Sequence, residues 1–153
     1  MKLYSYREVN DDVPDWGPLQ AIAQRTAQRA DLPTIEVGDF MWMCEMASAD
    51  DGAPLHLYKH IESRRYLNID TDLRMYAYVD TLDDDDFDVP ADQLVVHYRR
   101  LGGLAWAIER LGLGWRRFQS DVLDVLHVAS DNVRTWPPNV TPMSRYRRRG
   151  GVA

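Results

Sequence analysis

Residues 55–79 read LHLYKHIESRRYLNIDTDLRMYAYV, and this stretch decides the predicted fold. Residues 55–61, 64–69 and 73–79 each alternate aliphatic with polar or aromatic side chains, which is the period of a β-strand. The connections between these runs are short and polar, as in β-hairpins. The stretch therefore predicts a meander of three strands and a largely antiparallel sheet.

The alternation predicts two different faces for the meander. One face is aliphatic and suits packing under helices. The other, which we call the Tyr/His face, carries tyrosine, histidine, asparagine and arginine side chains, namely His56, Tyr58, His60, Tyr66, Asn68, Arg74, Tyr76 and Tyr78. Arg64 and Arg65 stand at the start of the second run. The Tyr/His face has three interpretations: half-buried strand tyrosines with solvated hydroxyls, a protein-binding face, or a stacking platform for single-stranded nucleic acid. We take it, with these two arginines, as the candidate binding surface, because tyrosine and arginine are enriched at interfaces.

On the N-terminal side of the meander, three further elements are predicted. Residues 1–9 alternate as a strand. Pro18 suits the first residue of a helix that continues to about residue 30 with an apolar stripe. Residues 35–48 alternate but are mostly apolar on both faces, which is typical of a strand in the middle of a sheet.

On the C-terminal side, the spacing of apolar residues predicts helices. Projected at 100° per residue, one stripe contains Leu94, His97, Tyr98, Leu104, Ala105, Ile108 and Leu111. The pair Gly102-Gly103 splits or kinks this segment. A second stripe predicts a last helix from Trp115 to about Val133.

These elements predict an α+β fold. It comprises a largely antiparallel sheet of about five strands with a central meander, one N-terminal helix, and two or three C-terminal helices packed on one face. We expect residues 1–134 to form a single domain and residues 135–153 to form a tail rich in proline and arginine.

The chain carries a net charge of −6, unevenly distributed. Acidic residues concentrate in residues 83–88, and basic residues concentrate near the end at Arg145, Arg147, Arg148 and Arg149. The arginine cluster is expected to be a solvated tail, to contact phosphates or an acidic surface, or to fold back on the acidic run.

Several features indicate an intracellular protein. Cys44 is the single cysteine, so no internal disulfide forms, and we expect a cytoplasmic location. No apolar run is long enough to cross a membrane, and residues 1–8 lack the apolar stretch of a secretory signal. Of the 18 basic residues only Lys2 and Lys59 are lysines, and this arginine excess is typical of a GC-rich bacterial genome.

No motif predicts an active site or a cofactor. The sequence contains neither a phosphate-binding G-x-x-x-x-G-K-[ST] loop nor a dinucleotide-binding G-x-G-x-x-G motif, and no G-x-S-x-G elbow. Cys44 stands in an apolar strand, which favours an inert buried thiol over a nucleophile. His56 and His60 lie about 13 Å apart on a strand, too far to share one metal ion. We expect no cofactor and no metal site.

The sequence leaves three functions open and favours a non-catalytic role. The leading hypothesis is a protein that binds a protein partner, or a second copy of itself, through the Tyr/His face and Trp106, which falls opposite the apolar stripe of its helix. The second is nucleic-acid binding through Arg64, Arg65, Arg74, the sheet tyrosines and the arginine tail. The third is a small hydrolase or isomerase that uses His56 or His60 with Glu62. None of the three hypotheses involves binding to a membrane.

Overall fold

The computed structural model describes residues 2–29, 35–90 and 92–129. Its strands are β1 (Tyr4–Asn10), β2 (Phe40–Ser48), β3 (Pro54–His60), β4 (Tyr66–Asp70), β5 (Met75–Val79) and β6 (Val95–Gly102). Its α-helices are α1 (Gly17–Arg29), α2 (Leu104–Leu111) and α3 (Trp115–Ala129). Two short 3₁₀ helices, Val37–Asp39 and Asp84–Asp88, precede β2 and β6. The arrangement is an α+β fold with an antiparallel sheet, as the sequence predicts.

The sheet is closed, because its first and last strands pair with each other. The six strands follow one another in chain order around the barrel, and every neighbouring pair is antiparallel. The closing pair places Tyr4 of β1 opposite Tyr98 of β6. Closure removes the unpaired strand edges that an open five-stranded sheet would leave.

The prediction of a helix over residues 94–101 is wrong, because this segment forms β6. Its side chains fit a helical stripe, but they also alternate, and Val95, Val96 and Tyr98 favour strands. Hydrogen bonds to β1 on one side and β5 on the other satisfy its backbone. The helix that the stripe predicts begins only after Gly103, at Leu104.

A cluster of tyrosines lies inside the barrel. Tyr6 of β1 contacts Tyr76 of β5 with ring centroids 5.9 Å apart, although β6 lies between these two strands in the sheet. Tyr98 of β6 packs edge-to-face on Tyr6 and on Tyr78, each at 5.6 Å. Edge-to-face pairs of this kind add about 0.5–1.5 kcal/mol beyond the area that they bury. Cross-barrel aromatic contacts therefore hold the strands together from within.

The prediction of one aliphatic and one Tyr/His face on the meander is also wrong. Leu57 pairs with Asn68, and Tyr58 pairs with Leu67. Directly opposed residues share a face, so each face mixes aliphatic with polar side chains. The register sets this mixture: the connection after His60 shifts the phase of β4 relative to β3, which the alternation within each strand cannot reveal.

The helices cover part of the outer surface of the barrel. Leu19 and Ile22 of α1 are fully buried, as is Leu111 of α2, and Phe118 of α3 is almost so. α1 packs against α2 and β4, and α3 packs against α2 and β6. None of the described helices is long and apolar enough to cross a membrane.

Candidate functional site

Four residues of the predicted binding face lie in the interior of the barrel. Tyr66, Asn68, Tyr76 and Tyr78 are all buried. Asn68 donates a hydrogen bond from its Nδ2 to the carbonyl oxygen of Tyr76 at 3.2 Å. The expectation that these side chains form a surface is wrong, because closing the sheet turns their face into the core.

Two further residues of that face lie on the outside of the barrel under the segment that leads into α1. The Tyr58 hydroxyl donates to the carbonyl oxygen of Asp15 at 2.6 Å, and the Tyr58 ring packs against Trp16 at 5.9 Å. His56 is buried beside it, with its Nε2 3.9 Å from Oδ2 of Asp15. Burial raises the pKa of Tyr58, so its hydroxyl stays protonated. Both side chains hold the chain in place and neither presents a binding surface.

Arg74 and Trp106 also make contacts within the molecule. Arg74 pairs with Asp70 at 2.7 Å and with Asp72 at 3.1 Å. Trp106 is half-buried: its ring lies edge-to-face on Phe118 at 5.7 Å, and the guanidinium of Arg110 lies 4.4 Å from its centroid. The arginines at 145, 147, 148 and 149 lie outside the described residues.

The remaining predicted residues lie at a cleft between the β3–β4 turn and the start of α3. This cleft has a volume of about 700 Å³, within the range of sites that hold small molecules or short segments. We call it the α3 cleft; it is lined by His60, Glu62, Ser63, Arg65, Trp115, Arg116 and Gln119. His60 and Arg65 belong to the predicted face, and Glu62 to the predicted catalytic pair. Arg64 is exposed in the same turn.

Local hydrogen bonds hold the turn that forms one side of the α3 cleft. The backbone N–H of Arg64 donates to the carbonyl oxygen of His60 at 2.8 Å, and Arg64 adopts a left-handed conformation with φ of 64°. The backbone N–H of Ser63 donates to Nδ1 of His60 at 3.1 Å. These bonds orient the imidazole relative to the turn, so the cleft wall is built before any ligand arrives.

An aromatic stack joins this turn to α3. The Trp115 ring stacks on His60 at 4.9 Å and on Phe118 at 5.6 Å, and Phe40 meets Trp115 edge-on at 5.2 Å. The Trp115 Nε1 donates to the Ser63 hydroxyl oxygen at 2.9 Å. The indole of Trp115 is therefore held by three aromatic contacts and one hydrogen bond within this chain.

The α3 cleft carries more positive than negative charge. Arg65 and Arg116 form no ion pair with any described residue. Among the described residues that line the cleft, Glu62 is the only acidic one. The chain as a whole has a net charge of −6. Two arginines with no ion-pair partner among the described residues therefore make this concave site a local reversal of sign, and such a site attracts anions.

His60 stays neutral in this environment. Burial lowers the pKa of its imidazole, and the nearby carboxylates of Asp39 and Glu62 oppose that effect without cancelling it. Its Nδ1 accepts a hydrogen bond, so the neutral ring carries its proton on Nε2.

We expect an NMR titration of His60 to give a midpoint below the value of an exposed histidine. Because the unfolded chain binds this proton first, the free energy of unfolding should fall as the pH drops from about 6.5 through the folded pKa. His60→Gln should remove that part of the pH dependence, as measured by urea unfolding at several pH values. A midpoint at or above that of an exposed histidine would contradict the assignment.

Several residues of the α3 cleft were not identified from the sequence. Trp115 fits the apolar stripe of its helix, and Arg116 and Gln119 fit the polar side, so none of the three carries a motif. Ser63 belongs to a turn with no recognisable nucleophile setting. The contact between two segments about 50 residues apart brings them together, and no local pattern encodes it.

The described residues contain no metal-binding group. No three histidine, cysteine, aspartate or glutamate side chains within residues 2–29, 35–90 and 92–129 come together where they could hold an ion. Cys44 is a buried free thiol in β2.

Comparisons with models of known protein families, with curated proteins and with solved structures found no match for this chain. The case for a function therefore rests on the geometry of the site.

Proposed function

We propose that this chain is a non-catalytic binding protein and that the α3 cleft engages a protein partner. The observation that carries the proposal is that Arg65 and Arg116, which form no ion pair with any described residue, lie in a concave site with an aromatic wall. Arginines at the centre of such sites are frequent contributors to binding energy, because the planar guanidinium forms two hydrogen bonds to one carboxylate. The proposal includes a cytoplasmic location, which the single cysteine supports.

Nucleic-acid binding has less support than the sequence indicates. Tyr66, Tyr76 and Tyr78 are inside the barrel, where no base can stack on them. Arg74 already pairs with two carboxylates. A single-stranded nucleic acid needs a positive groove with exposed aromatic faces, and neither of these two groups of residues supplies one.

A hydrolase or isomerase that uses the cleft also has less support. His60 and Glu62 line the same cleft, but no hydrogen bond joins them among the described residues. The Nδ1 of His60 is occupied by a backbone N–H, so no carboxylate orients the imidazole from that side as in an acid–base pair.

The proposal is tested by a photo-crosslinking amino acid at position 116, with position 25 on the exposed surface of α1 as the matched control. We expect protein adducts from position 116 in extracts of the source cells, and their loss when Arg65→Glu is added. Equal adduct yields from positions 116 and 25 would contradict the proposal. Adducts that disappear on nuclease treatment would indicate the nucleic-acid alternative instead.

Light scattering after size-exclusion chromatography tests whether the partner is a second copy of the chain. A dimer that Arg65→Glu converts to a monomer would make self-association the function of the cleft. If the chain is monomeric at all concentrations, the adducts from position 116 contain a different protein.

A further inference from the structure

We infer that the α3 cleft recognises an acidic peptide segment, in which one or two carboxylates are followed or preceded by an aliphatic side chain. The inference rests on the proposed function and adds the chemistry of the partner. Its basis is that His60, Ser63, Arg65 and Arg116, four of the described residues that line the cleft, each offer a hydrogen-bond donor.

His60 contributes the first donor. Its Nδ1 already accepts from the backbone N–H of Ser63 at 3.1 Å. In a neutral imidazole the other nitrogen then carries the hydrogen. The Nε2–H has no acceptor among the described residues, so it remains available to a ligand oxygen.

Ser63 contributes the second donor. Its hydroxyl oxygen accepts from Nε1 of Trp115 at 2.9 Å and from the backbone N–H of Arg65 at 3.4 Å. A hydroxyl has two lone pairs and one hydrogen. Both lone pairs are engaged, so the hydroxyl hydrogen is the part that can meet a ligand, and it requires an acceptor.

Arg65 and Arg116 contribute the strongest donors. Each guanidinium presents five N–H groups and no acceptor, and its fork matches the two oxygens of a carboxylate. Gln119 is buried, and its Nε2 donates to the carbonyl oxygen of Tyr66 at 3.4 Å, so its amide nitrogen is engaged within the chain. A site of this composition binds an anion that is rich in acceptors and rejects a cation.

The surroundings favour a peptide over a nucleic acid. His60 and Phe118 both stack on Trp115, which leaves less of the indole available for a base to stack on. The acidic 3₁₀ helix Asp84–Asp88 joins β5 to β6 at the same end of the barrel as the β3–β4 turn. It would repel a nucleic-acid strand, which carries one charge per phosphate, more strongly than a short peptide with one or two carboxylates.

Two exposed aliphatic side chains lie close in sequence to the segments that line the cleft. Ile61, next to His60, is 50% exposed, and Leu113, two residues before Trp115, is 62% exposed. Each is adjacent in the chain to a segment that lines the cleft. An aliphatic residue beside the acid would remove part of this apolar surface from water. A free phosphate ion would leave both residues exposed.

The inference is tested on an array of eight-residue peptides that samples acidic, neutral and basic compositions, probed with the labelled full chain. We expect enrichment of peptides that combine aspartate or glutamate with leucine or isoleucine. In fluorescence anisotropy, the best peptide should bind Arg65→Glu and Arg116→Glu about tenfold more weakly or worse, because each change removes a charge-assisted hydrogen bond. Arg25→Glu carries the same change in net charge outside the cleft and should bind within about twofold of the wild type.

Enrichment of basic or neutral peptides, or equal binding of acidic peptides to all three variants, would overturn the inference. Binding of 10-nucleotide single-stranded DNA or of inorganic phosphate, together with no binding of any acidic peptide, would overturn it as well. Crosslinks from position 116 together with a failed array would mean that the cleft binds a partner of different chemistry. Failure of both experiments would remove the proposed function itself.

Discussion

Replacing Asp70 by asparagine is expected to lower the free energy of unfolding by about 3 kcal/mol. The Asp70 carboxylate is 5% exposed at one end of the barrel. Its Oδ1 accepts from the backbone N–H groups of Asp72 and Arg74, both at 2.9 Å. Its Oδ2 accepts from Nε of Arg74 at 2.7 Å and from the Tyr76 hydroxyl at 2.9 Å. An asparagine amide offers one acceptor oxygen, so its NH₂ group must face two donors.

The loss of stability should extend beyond the β4–β5 turn, because the hydrogen-bond network of Asp70 reaches other strands. Burial raises the pKa of Tyr76, so its hydroxyl keeps the proton that it donates to Asp70. The hydroxyl oxygen in turn accepts from Nε of Arg100 at 3.1 Å. The Arg100 guanidinium lies 4.4 Å from the ring centroid of Tyr4. Asp70 therefore anchors contacts among β4, β5, β6 and β1 at this end of the barrel.

Asp72→Asn is the matched control for Asp70→Asn. Asp72 pairs with the same arginine, but its side chain is 71% exposed. Exposed ion pairs contribute about 0–1 kcal/mol, so the control should change the free energy of unfolding by less than that. Urea unfolding at pH 7, followed by circular dichroism, measures both variants. Equal stabilities would mean that Asp70 does not hold the barrel end.

Replacing Gly102 by alanine is expected to lower the free energy of unfolding by about 2 kcal/mol. A Cβ at this position would lie 2.5 Å from Cγ and 2.7 Å from Cβ of Trp106. These atoms are close to the Trp106 backbone, so rotation of the side chain's far end cannot relieve the overlap. The indole is also held by Phe118 and Arg110. The new methyl group must therefore displace α2 from the end of β6.

Gly103→Ala is the matched control for Gly102→Ala. A Cβ at Gly103 meets no atom within 4 Å, and its backbone is extended, with φ of −90°, which alanine adopts without strain. Replacing this glycine, which directly precedes α2, should lower the free energy of unfolding by at most about 1 kcal/mol. Thermal unfolding, with tryptophan fluorescence as a second probe, compares the two variants. A Gly102→Ala protein as stable as Gly103→Ala would show that Trp106 shifts freely.

The positions of the meander and of most helices could be predicted from the sequence. Alternation over residues 55–79 and the turn residues between the runs are local properties, and they identify β3, β4 and β5. Pro18 and the apolar stripe after it likewise identify α1. Local geometry sets both periods, so no distant contact is needed to recognise them.

Residues 95–102 show where local pattern is insufficient. Their side chains satisfy both a helical stripe and a strand alternation, and the partners decide between them. β6 forms because β1 and β5 both present backbone groups that need hydrogen bonds. This pairing closes the barrel, which no periodicity within one segment expresses.

The candidate site divides in the same way. The sequence by itself determined that tyrosines, histidines and arginines concentrate in and around the meander, and that no familiar catalytic motif accompanies them. Only the tertiary structure decided which of them a ligand can reach. Closure and register buried Tyr66, Tyr76 and Tyr78 in the core, while the docking of α3 joined Arg65 to Trp115 and Arg116 in a cleft. The physical reason is that side-chain alternation is local, whereas register, closure and helix docking depend on contacts between residues far apart in the chain.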